Sequence, residues 1–125
     1  MSRVNIKRLQ EMAEVEFADI VMDTIPGLNE LRIILTDGSF IDAWFSLKLQ
    51  KRYSYHWERK VLDGTIYRHD NAPHQRWQEI KTFPKHFHDG DEEQVTESHL
   101  PNDPELALRQ VLTFARKRLK QIDQR

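Results

Sequence analysis

LRIILTDGSFIDAWFSL, residues 31–47, contains the strongest β-hairpin signal in the chain. Two apolar runs, residues 31–36 and 40–47, flank the pair Asp37-Gly38. An Asp-Gly pair favours the two-residue turns whose twist matches that of antiparallel strands. The segment therefore predicts two neighbouring antiparallel strands.

The pattern continues downstream of this hairpin. Residues 51–60 alternate between two kinds of side chain, which predicts a strand with Tyr53, Tyr55 and Trp57 on one face and Arg52, Ser54, His56 and Glu58 on the other. A second Asp-Gly pair, Asp63-Gly64, turns the chain into a strand over residues 65–70. Because consecutive strands joined by tight turns pair with each other, the sequence predicts an antiparallel meander.

Upstream of the hairpin, the spacing of apolar residues predicts a short amphipathic helix within the first dozen residues, through Ile6, Leu9, Met12 and Ala13. The apolar residues of segment 15–22 fit the spacing of a strand and also that of a helix. Val15, Phe17, Asp19 and Val21 suit a strand, whereas Ala18, Val21, Met22 and Ile25 suit a helix. We interpret this segment as a strand, followed by a turn at Pro26-Gly27.

After residue 70, Pro73 and Pro84 exclude a regular central strand, so residues 71–102 are expected to be partly irregular, with a short element at residues 94–98. A final helix is predicted with Asp103 as N-cap and Pro104 in the first turn. Its apolar stripe is Leu108, Val111, Leu112, Ala115, Leu119 and Ile122.

Together these elements predict one domain, residues 1–125, of the α+β class. We expect an antiparallel meander sheet of four to five strands from residues 15–70, an N-terminal helix, and a long C-terminal helix packed on one face. A chain of 125 residues is long enough to bury one hydrophobic core that needs no disulfide bond or structural metal for its stability.

Composition and absent motifs limit the classes of protein to which the chain can belong. The chain has no cysteine, which excludes thiol catalysis and thiolate metal sites. It has no apolar run of about 18 residues, and its polar start lacks the apolar core of a signal peptide, so we expect a cytoplasmic protein with no membrane contact. Walker, GxSxG and HExxH motifs are absent, which argues against nucleoside triphosphatases, serine hydrolases and zinc proteases.

Charge is unevenly distributed although the formal net charge is −1. Residues 51–88 hold eight Lys and Arg against four acids, whereas residues 89–105 hold seven acids and no base. The cationic segment suits a phosphate backbone, and a solvated face is the alternative interpretation.

Five of the six histidines fall within this cationic segment, between Tyr53 and His88. Histidine titrates near neutral pH, so such a cluster predicts a polar site. The candidate catalytic residues are His56, Arg68, Asp70, His74, His86 and His88.

The pairing of these residues depends on strand register. If Glu58 lies opposite Arg68, His56 faces Asp70, which orients its imidazole and raises its pKa, and a two-residue turn would set His56 opposite Asn71 instead. His56 would then serve as general acid or base while Arg68 binds an anion. A structural His-Asp pair at a sheet edge is the alternative.

A metal site is the minor alternative to metal-free chemistry. In an extended segment, His86 and His88 project to the same side, and His74, Asp70 or Asp89 would complete a divalent site. A bare His-x-His pattern is more often incidental. We therefore predict no metal cofactor.

Three blocks also carry a family resemblance: RYSYHW from Arg52, YRHDNAPH from Tyr67, and Phe83-Pro84-x-His86-x-His88. With Ser98 and the proline-capped final helix, they resemble the TumE-like family of prokaryotic toxin-antitoxin modules. The resemblance implies a toxin with a cognate antitoxin and leaves the mechanism open.

Two classes of function follow. The first is a ribonuclease toxin that needs no metal: His56 and His74 supply acid-base catalysis on RNA, and Arg68 supplies the cation for the phosphorane. The second is a non-catalytic module that binds a protein or nucleic acid. A metal-dependent nuclease using histidine and aspartate is a further alternative.

Overall fold

The computed structural model describes residues 3–123, so residues 1–2 and 124–125 of the predicted domain lie outside the described part. In chain order, the helices and strands of residues 3–123 are α1 (Ile6–Glu16), β1 (Val21–Pro26), β2 (Glu30–Leu35), β3 (Phe40–Phe45), β4 (Tyr53–Arg59), α2 (Lys60–Asp63), β5 (Thr65–Asp70), β6 (His86–Gly90), β7 (Val95–Glu97) and α3 (Pro104–Asp123). A 3-10 turn, Gln75–Trp77, lies between β5 and β6. No helix among these residues is long and apolar enough to span a bilayer.

The strands form one antiparallel sheet in the order β1 to β7, which confirms the α+β class and the predicted meander. The predicted number of four to five strands is wrong, because the sheet has seven. The two extra strands come from the segment that the prolines marked as irregular. Pro73 and Pro84 do lie in the loop before β6, but the chain rejoins the sheet directly after them. β7 falls inside the short element predicted at residues 94–98.

The predicted N-terminal helix is confirmed, and its boundary with β1 is corrected. Asn5 caps α1 by accepting a hydrogen bond from the Arg8 backbone N–H at 3.1 Å. The helix runs to Glu16, so the strand predicted at residues 15–22 is wrong and β1 begins only at Val21. Ala13 and Phe17 are four residues apart and both buried, so the buried stripe of α1 extends to Phe17, whereas Val15 is 76% exposed. Residues 17–20 then form a turn before β1.

Both long helices cover the same face of the sheet, as predicted for the C-terminal one. Residues of α1, of α3 and of strands β2 to β5 form one hydrophobic cluster. On α3, the ring of Phe114 contacts the rings of Trp57, Tyr67 and Phe87 on three successive strands. Asp103 accepts a hydrogen bond from the Leu106 N–H at 3.0 Å, which confirms the predicted N-cap.

The opposite face, which we call the open face, carries the polar side chains because successive residues of a strand alternate between faces. The register aligns two rows of side chains across this face. The first row is Arg32, Asp42, His56, Arg68 and His88. The second row is Trp44, Ser54, Asp70, His86 and Glu97.

Candidate functional site

The register of β4 and β5 differs from both predicted ones. His56 pairs with Arg68, and Asp70 pairs with Ser54, so Asp70 does not face His56. The reason is the connection: the helical turn α2 follows β4, and Gly64 ends it with a φ of 80°, in the left-handed region that glycine tolerates. Arg59 then pairs with Thr65 at the start of β5.

Arg68 is the centre of the cluster that results. Its Nη1 lies 3.2 Å from His56 Nδ1, and its Nε donates to Asp70 Oδ2 at 3.2 Å. Its Nη2 lies 2.7 Å from Glu92 Oε1. His56 Nε2 in turn lies 3.0 Å from Glu58 Oε1. The guanidinium therefore joins polar groups of β4, β5 and the turn after β6.

Asp70 faces the two histidines of β6. Its Oδ1 lies 3.1 Å from His86 Nε2, and its Oδ2 lies 3.9 Å from His88 Nε2. His86 is fully buried, and His88 is 4% exposed. His86 Nε2 makes no well-aligned hydrogen bond among the described residues, and the Asp70 carboxylate at 3.1 Å is its charged neighbour.

The charges of these three groups follow from their surroundings. Burial alone would raise the pKa of Asp70, but His86, the Ala72 N–H and Arg68 outweigh it and hold that pKa below its usual value. Burial lowers the pKa of His86, yet Asp70 and the Pro84 carbonyl reverse this effect and raise it. For His88, burial and Arg68 both lower the pKa. The two histidines are therefore shifted in opposite directions.

The other nitrogen of each histidine is held by the backbone. His86 Nδ1 lies 2.9 Å from the Pro84 carbonyl oxygen, and His88 Nδ1 lies 3.0 Å from the Glu92 carbonyl oxygen. A carbonyl only accepts, so each Nδ1 carries the hydrogen. Each Nε2 then points toward Asp70 with its lone pair available when the ring is neutral.

A cleft of about 360 Å³ opens over this cluster. Its walls include four predicted site residues and four others: Arg68, Asp70, His74 and His88, with Arg76, Trp77, Glu92 and Glu93. His56 reaches it through Arg68, and His86 lies behind Asp70, out of solvent. The six candidate residues are thus brought together, although their chemical roles stay predictions.

Sequence reasoning did not single out Arg76, Trp77, Glu92 or Glu93. The indole of Trp77 lies over the cluster, with its ring centroid 5.9 Å from that of His88 and 6.3 Å from that of His86. Arg76 pairs with Glu93. For Arg76 and Trp77 the available signal was the length of the loop over residues 71–85, since long loops in compact domains tend to carry function. For Glu92 and Glu93 it was the acidic segment that follows the cationic one.

The predicted cationic surface is also modified. Glu92 and Glu93, from the acidic segment, pair with Arg68 and Arg76, so the basic side chains at the cleft are neutralised by the turn between β6 and β7.

His69 lies on the other face, where its Nδ1 is 2.8 Å from Ser98 Oγ and burial lowers its pKa to about 4.

A seven-stranded antiparallel meander, covered by two helices on one face and holding a histidine, aspartate and arginine cluster on the other, defines a small α+β protein with a built polar site. The chain belongs to the TumE toxin family: the family model described as Toxin TumE matches residues 5–119, nearly the whole chain. This match confirms the resemblance seen in the three sequence blocks. No curated protein and no solved structure matches the chain.

Proposed function

We propose that this TumE family member inhibits growth by cleaving RNA, with the open-face cleft as its active site. The observation that supports the proposal most is that Arg68, Asp70, His74 and His88, from two strands and a loop, line one cleft, with His56 of a third strand in contact with Arg68. Clefts that gather titratable groups with opposed pKa shifts are typical of catalytic sites.

Arg68 and Arg76 are the proposed contacts for the RNA phosphates. Their guanidinium groups are now paired with Glu92 and Glu93, whose side chains are 52% and 62% exposed. Because exposed ion pairs contribute little free energy, a phosphate group of RNA can take the place of these carboxylates. Arg68 would then stabilise the charge that develops on the phosphorane.

His56 and His74 remain the proposed acid-base pair. His74 is exposed in the cleft, at the start of the 3-10 turn, where a 2'-hydroxyl can reach it. His56 lies between Arg68 and Glu58, which hold its ring in place. One histidine would accept the proton of the 2'-hydroxyl and the other would protonate the leaving oxygen, which requires no metal.

The direct test is expression of the chain alone in bacteria, followed by an RNA cleavage assay on the purified protein. Growth should slow, and His56→Ala and His74→Ala should each remove the inhibition while circular dichroism shows a folded protein. His99→Ala is the matched control, because His99 lies outside the cleft with a side chain 75% exposed. Cleavage by the natural chain should persist in the presence of a chelator.

Two results would contradict this proposal. Full toxicity of the His56 and His74 double variant would leave a non-catalytic binding module as the better description. Cleavage that stops on chelation would favour the second candidate, metal-assisted cleavage. One specific observation supports that candidate: Asp70, His86 and His88 each offer one ligand atom, and these atoms lie within 4.8 Å of one another.

A further inference from the structure

Asp70, His86 and His88 each offer one atom to a common point. The carboxylate oxygen and the two imidazole nitrogens all lie within 4.8 Å of one another, and all three side chains are buried. The second row of the open face supplies Asp70 and His86, and the first row supplies His88, so strands β5 and β6 hold the three groups rigidly. A site built on strands is more precise than one built on loops.

We propose that these three side chains bind one divalent transition metal ion, with Zn²⁺ as the best match to the donor set. Two neutral imidazoles and one carboxylate leave at least one coordination position open, which is the usual donor set of catalytic zinc and non-haem iron sites. Mg²⁺ and Ca²⁺ prefer all-oxygen ligands and fit less well.

The distances are close to those that zinc requires. With metal–ligand bonds of about 2.1 Å, the ligand atoms of a tetrahedral site lie about 3.4 Å apart. His86 Nε2 and Asp70 Oδ1 are 3.1 Å apart, and His88 Nε2 and Asp70 Oδ2 are 3.9 Å apart. These two distances run to different oxygens of the carboxylate, and the three ligand atoms lie within 4.8 Å of one another, so a bound ion would have to draw the His88 ring closer.

The hydrogen bonds behind the ligands are those of a metal site. Ligating histidines almost always donate their other N–H to a carbonyl or carboxylate, which fixes the tautomer. His86 does so to the Pro84 carbonyl, and His88 does so to the Glu92 carbonyl. Asp70 is held by the Ala72 N–H at 3.0 Å and by Arg68 Nε at 3.2 Å.

The Nε2 atom of His86 is buried and faces the Asp70 carboxylate at 3.1 Å without an aligned hydrogen bond. A metal ion between these two groups would be coordinated by both. The open position of the metal would face the cleft, which Asp70 and His88 line next to Arg68.

A role for the metal in cleavage rests on the proposed function, but metal binding does not. Zinc in this position would act as a Lewis acid on a phosphate oxygen beside the Arg68 guanidinium. The metal-free chemistry predicted for His56 and His74 is the competing outcome. The experiment therefore measures binding and cleavage separately.

The test uses the full chain, stripped with chelator and titrated with ZnCl₂ by calorimetry, with elemental analysis after desalting. We expect one zinc per chain and a higher melting temperature. Co²⁺ as a probe should give visible absorption bands typical of a low-coordinate site. Asp70→Asn and His88→Gln keep the side-chain volume and should weaken binding by at least about tenfold. His99→Ala should bind as the natural chain does.

Absence of binding in the natural chain, or binding that Asp70→Asn and His88→Gln leave unchanged, would overturn the proposal. If either variant fails to fold, the Co²⁺ spectrum of the natural chain still decides, because a fully hydrated ion lacks intense bands. Zinc bound without RNA cleavage would refute only the ribonuclease function. Cleavage in chelator by a chain that binds no zinc would refute only the metal site.

Discussion

Arg59 donates a hydrogen bond from Nη1 to Asp37 Oδ2 at 2.6 Å. Its Nε donates to Asp63 Oδ2 at 3.0 Å. Asp37 and Asp63 belong to the two Asp-Gly turns, one between β2 and β3 and the other between α2 and β5. The Arg59 side chain, which is 3% exposed, therefore holds two hairpin connections together at one end of the sheet.

The first prediction follows from this contact. Arg59→Ala removes a buried partner of two carboxylates that are themselves 29% and 35% exposed, so we expect a loss of about 1.5–3 kcal/mol. Arg32→Ala is the matched control, because Arg32 pairs with Asp42 but is 46% exposed, and exposed pairs are worth about 1 kcal/mol or less. Urea unfolding measures both. Equal losses in the two variants would show that burial of Arg59 is not what matters.

The second prediction concerns acid stability. Burial raises the pKa of Asp37, but hydrogen bonds from Ser39 and Arg59 outweigh it, so the folded pKa lies below the usual 3.8. A carboxyl with a lowered folded pKa contributes stability that is present above its unfolded pKa and is lost as the pH falls through the folded one. Asp37→Asn should be less stable than the natural chain near neutral pH, and this difference should shrink below about pH 4. Unfolding curves at several pH values test it, and a difference that stays constant would contradict it.

The third prediction concerns the helix that covers the core face. Leu112 is fully buried on α3, so Leu112→Ala should cost about 2–5 kcal/mol, and Leu112→Asp should prevent folding because an unpaired buried carboxylate is far more costly. Leu106→Ala, at a side chain that is 50% exposed on the same helix, should change stability by about 0.5 kcal/mol or less. Thermal unfolding followed by circular dichroism measures all three. A native-like melting temperature for Leu112→Asp would be evidence against the packing of α3.

The fourth prediction concerns the carboxylates at the cleft. Because Glu92 and Glu93 occupy Arg68 and Arg76, the Glu92→Gln and Glu93→Gln double variant should bind RNA more tightly than the natural chain, most visibly at low salt. Glu97→Gln is the control, since Glu97 pairs with His99 and not with either arginine. Binding of a labelled single-stranded RNA at two salt concentrations is the measurement. If affinity is unchanged, phosphate binding by Arg68 and Arg76 is refuted.

The fifth prediction concerns the antitoxin that the toxin family implies. Co-expression of the protein encoded next to this chain should restore growth, because a ribonuclease site of the proposed kind would have to be covered to be inactive. Hydrogen exchange of the complex should show protection in residues 51–88, which carry most of the cleft. Protection confined to α1 and α3, on the other face of the sheet, would place the antitoxin away from the cleft.

Local signals in the chain determined the elements that depend on neighbours in sequence. The two Asp-Gly pairs, the alternation through Tyr53, Tyr55 and Trp57, and the Asp103 cap predict the meander and the last helix correctly, since turns and caps are set by a few adjacent residues. The boundary between α1 and β1 was missed because residues 15–22 fit both strand and helix spacing, and the structure follows neither throughout: α1 ends at Glu16, residues 17–20 form a turn, and β1 begins at Val21. Phe17 and Ile20 are buried in the core, and this tertiary contact sets where the chain turns.

The candidate site, like the fold, depends partly on local sequence and partly on tertiary contacts. The sequence determined which residue types are available, as the six candidates around residues 56–88 show, and the three blocks that place the chain among the TumE toxins are local patterns too. Only the tertiary structure decided which of them meet. Asp70 faces His86 rather than His56 because Gly64 sets the length of the turn and β6 joins the sheet beyond the loop, and each such pairing is a contact between segments distant in sequence.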